Sequence, residues 1–242
     1  MHRYPLSVIA ALAVFSVGPA YAKKIPVTTC SQHVEGRAVL MNDLDCSGQQ
    51  FGNGVEIVGR LDMNGHTIIA PASDGNGIHC AGKCKIVGPG TITAGVPGHA
   101  NGIHGRSQFT VKDVTITDMG SGITATELAG NGRAVIDGCT ITGSAFIGVR
   151  SKVPLRLKDT VITGSGWSGL EIGDAPCATS PSAQVIRATI TGSGTGPECG
   201  VDFSCADVKS CAQPRVSHST CGDSCQTETG MPCTPWGICA GE

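Results

Sequence analysis

Three observations predict an all-β solenoid: a Thr-Ile pair that returns about every 24 positions, a composition weighted toward β-branched residues and glycine, and cysteines confined to the chain beyond residue 22. In the 242-residue chain the pair or a near variant falls at Thr67-Ile68, Thr91-Ile92, Thr115-Ile116, Thr140-Ile141, Val161-Ile162 and Thr189-Ile190. Asp43-Leu44 fits one unit earlier and Thr220-Cys221 one unit later, which makes eight rungs. Beyond residue 22 there are 18 Ile and 17 Val against 7 Leu, with 35 Gly in the whole chain, the reverse of what helices prefer.

Each rung repeats the same elements in order. An apolar residue stands four positions before the pair (Val39, Met63, Val87, Val111, Ile136, Leu157, Val185, Val216). A further strand opens with Gly and an aliphatic at Gly77-Ile78, Gly102-Ile103, Gly122-Ile123, Gly148-Val149, Gly169-Leu170 and Gly200-Val201. Within a unit the strands are short and alternate inward and outward residues, as in Phe109-Thr-Val-Lys112, with a bend at Asp113 before Val114-Thr-Ile116. A rung this short cannot bury its own apolar side, and parallel stacking on its neighbours closes a continuous Ile and Val core. Eight rungs at about 4.8 Å each give a rod of about 40 Å. A β-sandwich shares the turn spacing but does not require columns at a fixed period.

Residues 1–22 read as a secretory signal peptide: His2 and Arg3, an apolar run from Leu6 to Val17, and Ala20-Tyr21-Ala22 before the cut. The alternative, a membrane anchor, is disfavoured by the shortness of the run and by Gly18-Pro19. The expected organisation is a leader (1–22), a solenoid (23–224) and a disulfide-tethered C-terminal cap (225–242), secreted and without a membrane span. With 17 basic and 19 acidic side chains, and no Lys/Arg cluster longer than a pair, nucleic acid and anionic membrane are not expected partners.

All 13 cysteines lie beyond the leader, which in an exported chain predicts disulfides. Zinc is the competing reading for Cys80/Cys84 and Cys221/Cys225. Cys139 sits immediately before a Thr, where the alternation points inward, and is expected as a buried free thiol. Proximity suggests Cys30 with Cys46, Cys80 with Cys84, Cys177 with Cys199 and Cys205 with Cys211, leaving the last four to tie the tail over the open end of the rod.

These columns, together with Leu61-Asp-Met-Asn-Gly-His-Thr-Ile68 and Gly88-Pro-Gly-Thr-Ile-Thr93, resemble the right-handed parallel β-helix proteins of the pectin-lyase-like superfamily over roughly residues 34–224. The resemblance implies the fold. It implies no single activity, because that superfamily includes lyases, hydrolases, epimerases and proteins with no known activity.

Candidate chemistry falls on the outward position after each Gly-aliphatic pair: His79, His104, Thr124, Arg150, Glu171, Asp202, with Arg106, Thr126 and Lys152 in the next column. A lyase needs a base and a cation to neutralise a uronate, roles open to Arg150 or Lys152 and to Ca²⁺ held by Glu171 and Asp202. The same two carboxylates on adjacent rungs match the spacing of a retaining glycosidase. The plain alternative is a solvated ladder of opposite charges. His79 over His104 reads as a surface pair rather than a metal site, and Lys112, Asp137 and Lys158 as a structural ladder. Trp167 is the one aromatic platform in the rod. The Thr-Ile-Thr columns resemble the flat face of ice-binding solenoids. The sequence thus predicts a secreted protein that binds or processes an extended carbohydrate, with a non-catalytic surface scaffold as the alternative and ice binding behind it.

Overall fold

A computed structural model describes residues 24–126, 132–173, 181–196, 206–226 and 235–239. Among the described residues there is no helix; the chain forms a parallel β-solenoid of about 6 turns. An 8-stranded sheet carries the Thr-Ile pairs, from Leu44–Asp45 to Thr220–Cys221, and forms the Thr face. The expected eight rungs are therefore present as eight strands, but the first and last are only 2 residues long, so the terminal rungs are partial and complete turns are fewer.

The second sheet has 15 strands and covers two sides of the rod. One side, the His face, stacks Asn101–Gly105, Ser121–Ala125, Ile147–Ser151, Ser168–Ile172, Ala206–Ser210 and Ser224–Gln226. The other, the Arg face, stacks Phe109–Lys112, Ala134–Asp137, Leu155–Lys158, Ala183–Ile186 and Arg215–Ser217. The two faces are one sheet because the N-terminal strands Gln32–Leu40, Gly52–Asp62 and Gly75–Val87 run through the corner without a break. Gly36 and Gly59, at φ 99° and 122°, supply the bend there, in a region closed to most side chains.

The core is the inward ladder that the periodicity predicts. Ile68, Ile92, Ile116, Ile141, Ile162 and Ile190 from the Thr face meet Ile78, Ile103, Ile123, Val149 and Leu170 from the His face, all buried. Their close approach explains the glycine column. A Cβ on Gly122 would lie 2.5 Å from the Gly148 carbonyl oxygen and 2.6 Å from Ile141 Cγ2, so no larger residue fits unless the corner opens. At the C-terminal end the register Leu170 to Val208 puts Asp207 in this column in place of glycine. Its carboxylate accepts the backbone N–H groups of Ser193 (2.9 Å) and Gly222 (2.7 Å), while its own N–H donates to Asp223 Oδ1 (2.7 Å). The turn from the Arg face to the Thr face is a single left-handed residue, as at Asp113 (φ 55°), Asp159 (φ 48°) and Arg187 (φ 48°).

Disulfides join Cys30 to Cys46, Cys80 to Cys84 and Cys221 to Cys239. The first two are the expected pairs, and the third ties the segment 235–239 to the last Thr-face strand, while Trp236 N–H donates to Ser224 Oγ on the last His-face strand. Cys211 and Cys225 are disulfide-bonded as well. Cys177, Cys199, Cys205 and Cys233 lie outside the described residues, as do the leader and most of the expected cap. Cys139 is a free, buried thiol, and burial pushes its pKa up to about 11.

Candidate functional site

The outward column of the His face is continuous along the rod. Strand register places His33 beside Glu56, Glu56 beside His79, His79 beside His104, then Thr124, Arg150, Glu171 and Lys209. The predicted column is thus correct from His79 to Glu171. The position after Glu171 is a correction: Lys209 occupies it, because the insertion before the next strand is longer than the Gly-aliphatic pattern indicated, and the strand begins at Ala206 rather than near Gly200. Asp202 itself lies outside the described residues.

Most charged groups of this column have a partner. Arg150 Nε donates to Glu171 Oε1 at 3.0 Å, the solvated ladder of opposite charges. Glu56 bridges two rungs, with His33 Nδ1 2.8 Å from Oε1 and His79 Nδ1 3.3 Å from Oε2. Desolvation works to raise the Glu56 pKa, but the hydrogen bonds from His33 and His79 outweigh it and the net shift is downward. The same contact with Glu56, followed by one with Glu35, raises the pKa of His33. His79, with its side chain 12% exposed, stacks toward His104 at a ring-centroid separation of 5.5 Å. His104 Nε2 lies 3.0 Å from Thr126 Oγ1. Burial first, then the fields of His79 and Arg106, lower the His104 pKa to about 4, so its ring is neutral at neutral pH. Among the described residues no three His, Cys, Asp or Glu side chains are grouped to hold a metal ion.

Beside the His ladder, at the corner with the Thr face, runs a second ladder that the sequence reading missed. Asn76 Nδ2 donates to Asn53 Oδ1 (2.8 Å) and Asn101 Nδ2 to Asn76 Oδ1 (3.1 Å), a chain of side-chain amides across three rungs. These asparagines sit two residues before Ile78 and Ile103, so their signal was a second periodic column one step upstream of the glycines. The residues just before this column change along the rod. Backbone bonds connect Ala100 to Gly120, Gly120 to Phe146 and Phe146 to Trp167, so small residues give way to aromatic ones. Phe146 is 41% exposed and packs against Trp167 at 4.8 Å between ring centroids.

This step creates a cleft of about 360 Å³ lined by Asp74, Gly75, Asn76, His99, Asn101, His104, Gly120 and Phe146. Its lining combines the glycines Gly75 and Gly120, the amides of Asn76 and Asn101, the imidazoles of His99 and His104, the Asp74 carboxylate and the Phe146 ring. Of the expected site residues only His104 lines it; Arg150 and Glu171 lie further along the same column. Lys152 follows the strand Ile147–Ser151, and its N–H donates to the Ala125 carbonyl.

The Thr columns are in register as predicted, Thr91 beside Thr115 beside Thr140, interrupted at Val161. Lys112, Asp137 and Lys158 stack on the Arg face, with Lys158 Nζ 3.5 Å from Asp137. No protein-family model matches the chain, and neither does any curated protein or solved structure. What the structure supports of the resemblance is the parallel β-solenoid itself.

Proposed function

We propose that the protein is an exported carbohydrate-binding solenoid that holds an extended, uncharged stretch of glycan in the His-face cleft. The observation that carries this reading is the conjunction of the asparagine ladder with the exposed Phe146 wall. Sugar hydroxyls are both donors and acceptors, and a side-chain amide offers both. A neutral imidazole does the same, and His104 is held neutral. Sugar C–H faces stack on aromatic rings, which Phe146 and Trp167 present at the end of the ladder. The repeat of Asn53, Asn76 and Asn101 on successive rungs suits a chain lying along the rod rather than a single sugar. Export is supported by the leader-like residues 1–22 and by the disulfides, and no helix among the described residues is long and apolar enough to cross a membrane.

Binding is favoured over processing. Glu171 is engaged by Arg150 and flanked by Lys209, so among the described residues its neighbours on that ladder are cations rather than the second carboxylate that hydrolysis or Ca²⁺-assisted elimination would use. The test is a panel of neutral and acidic oligosaccharides scored both for binding, through tryptophan fluorescence, and for products. A neutral oligosaccharide should bind without turnover, and Phe146→Ala or Asn101→Ala should weaken it about tenfold, in line with loss of one stacking or one hydrogen-bonded contact. Cleavage that Arg150→Ala and Glu171→Ala abolish would replace this reading with the enzymatic one. Absence of binding to every glycan would leave the scaffold reading.

A further inference from the structure

The Arg face carries a column that none of the preceding argument uses. Its outward side chains, read rung by rung through the strand register, include Arg37, Arg60, Lys85, Arg156 and Arg215, with Thr110, Val135 and Gln184 between them and no acid at any position. All five cations are exposed, and none makes an ion pair among the described residues. Arg37, Arg60 and Lys85 occupy three consecutive rungs, about 4.8 Å apart, and like charges facing each other across a ladder repel. The neighbouring column supplies little relief. Its Asp137 is engaged by Lys158, and Asp159 at the corner is engaged by both Lys158 and Arg187, the latter through two hydrogen bonds of 2.6 and 2.7 Å. Asp62, which accepts the Asn64 N–H, and Glu35, 3.4 Å from His33, are the other acids near this end of the column, two carboxylates beside three consecutive cations. At the C-terminal end the column borders a cavity of about 520 Å³ whose lining includes Arg133, Ser182, Gln184, Gln213 and Arg215 and no acidic residue.

We propose that the Arg face is a docking track for a linear anionic glycan laid along the rod axis, its carboxylate or sulfate groups taken by Arg37, Arg60, Lys85, Arg156 and Arg215. A single file of cations, three on consecutive rungs and two more further along the rod, matches a polymer that presents anions at intervals along one line, and the guanidinium fork of the four arginines binds planar or tetrahedral oxyanions through paired N–H bonds. The other linear and planar polyanions fit less well. Single-stranded nucleic acid is held by aromatic stacking as well as charge, and the aromatic residue on this face, Phe109, is buried. A bilayer surface takes basic segments that also insert large apolar side chains, but the exposed large apolar residues Met41, Phe51, Val96, Phe146 and Val161 lie off this face's strands, and Ile25, on the edge strand Ile25–Val27, continues the inward column of Ala38 and Leu61 rather than the cation column. The track does not depend on the His-face cleft, since the two differ in the charge of the ligand they take.

The experiment titrates the full chain with a sulfated oligosaccharide of about ten sugars derived from heparin and with an oligogalacturonate of the same length, at low and high salt. Binding of at least one is expected, with affinity rising with chain length and lost at high salt, and the two arms separate sulfate from carboxylate as the source of the anion. Arg60→Gln combined with Lys85→Gln should weaken it about tenfold or more, while Thr115→Ala on the Thr face should not change it. The same double variant should melt no lower than the wild type, because it relieves like-charge repulsion, so lost binding is not lost folding. Failure of both oligosaccharides to bind, unchanged affinity in the double variant, or tighter binding of a single-stranded oligonucleotide or of phosphatidylserine vesicles would each overturn the proposal. A neutral glycan that binds while both polyanions fail would overturn the track and leave the cleft standing.

Discussion

The His face and the Arg face are two sides of one sheet, made by the same strands at the N-terminal end, yet they handle charge in opposite ways. On the His face each acid stands between bases, Glu56 between His33 and His79 and Glu171 between Arg150 and Lys209, so the column supplies partners for its own charges. On the Arg face Arg37, Arg60 and Lys85 follow one another with no acid between. The backbone ladder is indifferent to this choice, because the core is built by the inward residues alone. A solenoid can therefore hold its fold constant while each outward column is free to be balanced or unbalanced, and an unbalanced column points to something outside the chain.

The largest expected effect abolishes the comparison by damaging both faces together. Phe109 begins an Arg-face strand, is buried, and lies against Gly105 at the end of a His-face strand. Phe109→Ala should cost about 3 to 5 kcal/mol, measured by denaturant unfolding, with both binding activities lost in parallel. Next comes a change that reaches the His face alone. Gly122→Val places a side chain against the Gly148 carbonyl and Ile141, where overpacking costs about 1 to 3 kcal/mol, and it should weaken cleft binding before it touches the Arg face.

The two faces should also separate by pH. His104 has a depressed native pKa of about 4, so between its unfolded value near 6.5 and about 4 the unfolded chain binds the extra proton. Its contribution is present above pH 6.5 and is lost as pH falls toward 4, on the order of 1 kcal/mol once solvent screening of a half-buried group is allowed for. His33 runs the other way: its raised pKa makes its contact with Glu56 count at acid pH and fade as pH rises above about 6.5. His104→Gln should flatten the acid limb of the melting temperature between pH 6.5 and 4, while affinity for a sulfated glycan at the Arg and Lys track stays constant over that range. A melting profile unchanged by His104→Gln would show that burial at this ladder does not govern titration. The smallest effect sharpens the contrast in charge pairing. Arg150→Ala removes an ion pair and should lower stability by about 0 to 1 kcal/mol, whereas Arg156→Ala removes a cation with no partner among the described residues and should lower it by less, or not at all.

The fold was legible in the sequence because the core repeats at a fixed period: Ile92, Ile116 and Ile141 are spaced as a ladder must be, and Asp113 marked its own corner. Cys139 was placed by the same logic. The site was legible only in part. His104, Arg150 and Glu171 were correctly set in one column, but Lys209 rather than Asp202 follows them, since insertions are free to lengthen where no inward residue counts them. Glu56 was overlooked because it lies on a long strand that turns a corner, where the unit is not cut into the three short pieces seen later. The cation track was invisible to a search for runs of basic residues. Arg37, Arg60 and Lys85 are 23 and 25 positions apart in the chain, and only the register brings them together.

Asp207 marks where the glycine column of the rod gives way to carboxylates. Upstream of it, units are interchangeable: a duplicated stretch with its own Gly, Ile and Thr would find, between Gly122 and Gly148, the same neighbours that both already have. At Asp207 this equivalence ends, because its carboxylate is committed to the amides of Ser193 and Gly222, and the next rung, Ser224–Gln226, sets Asp223 rather than glycine in the column. A duplicated glycine-column unit therefore meets like neighbours within the rod but not at Asp207. Only a duplicated unit that brings its own copies of Asn76 and Lys85 would lengthen the amide ladder and the cation track by one step, so that ligand length and protein length would then rise together.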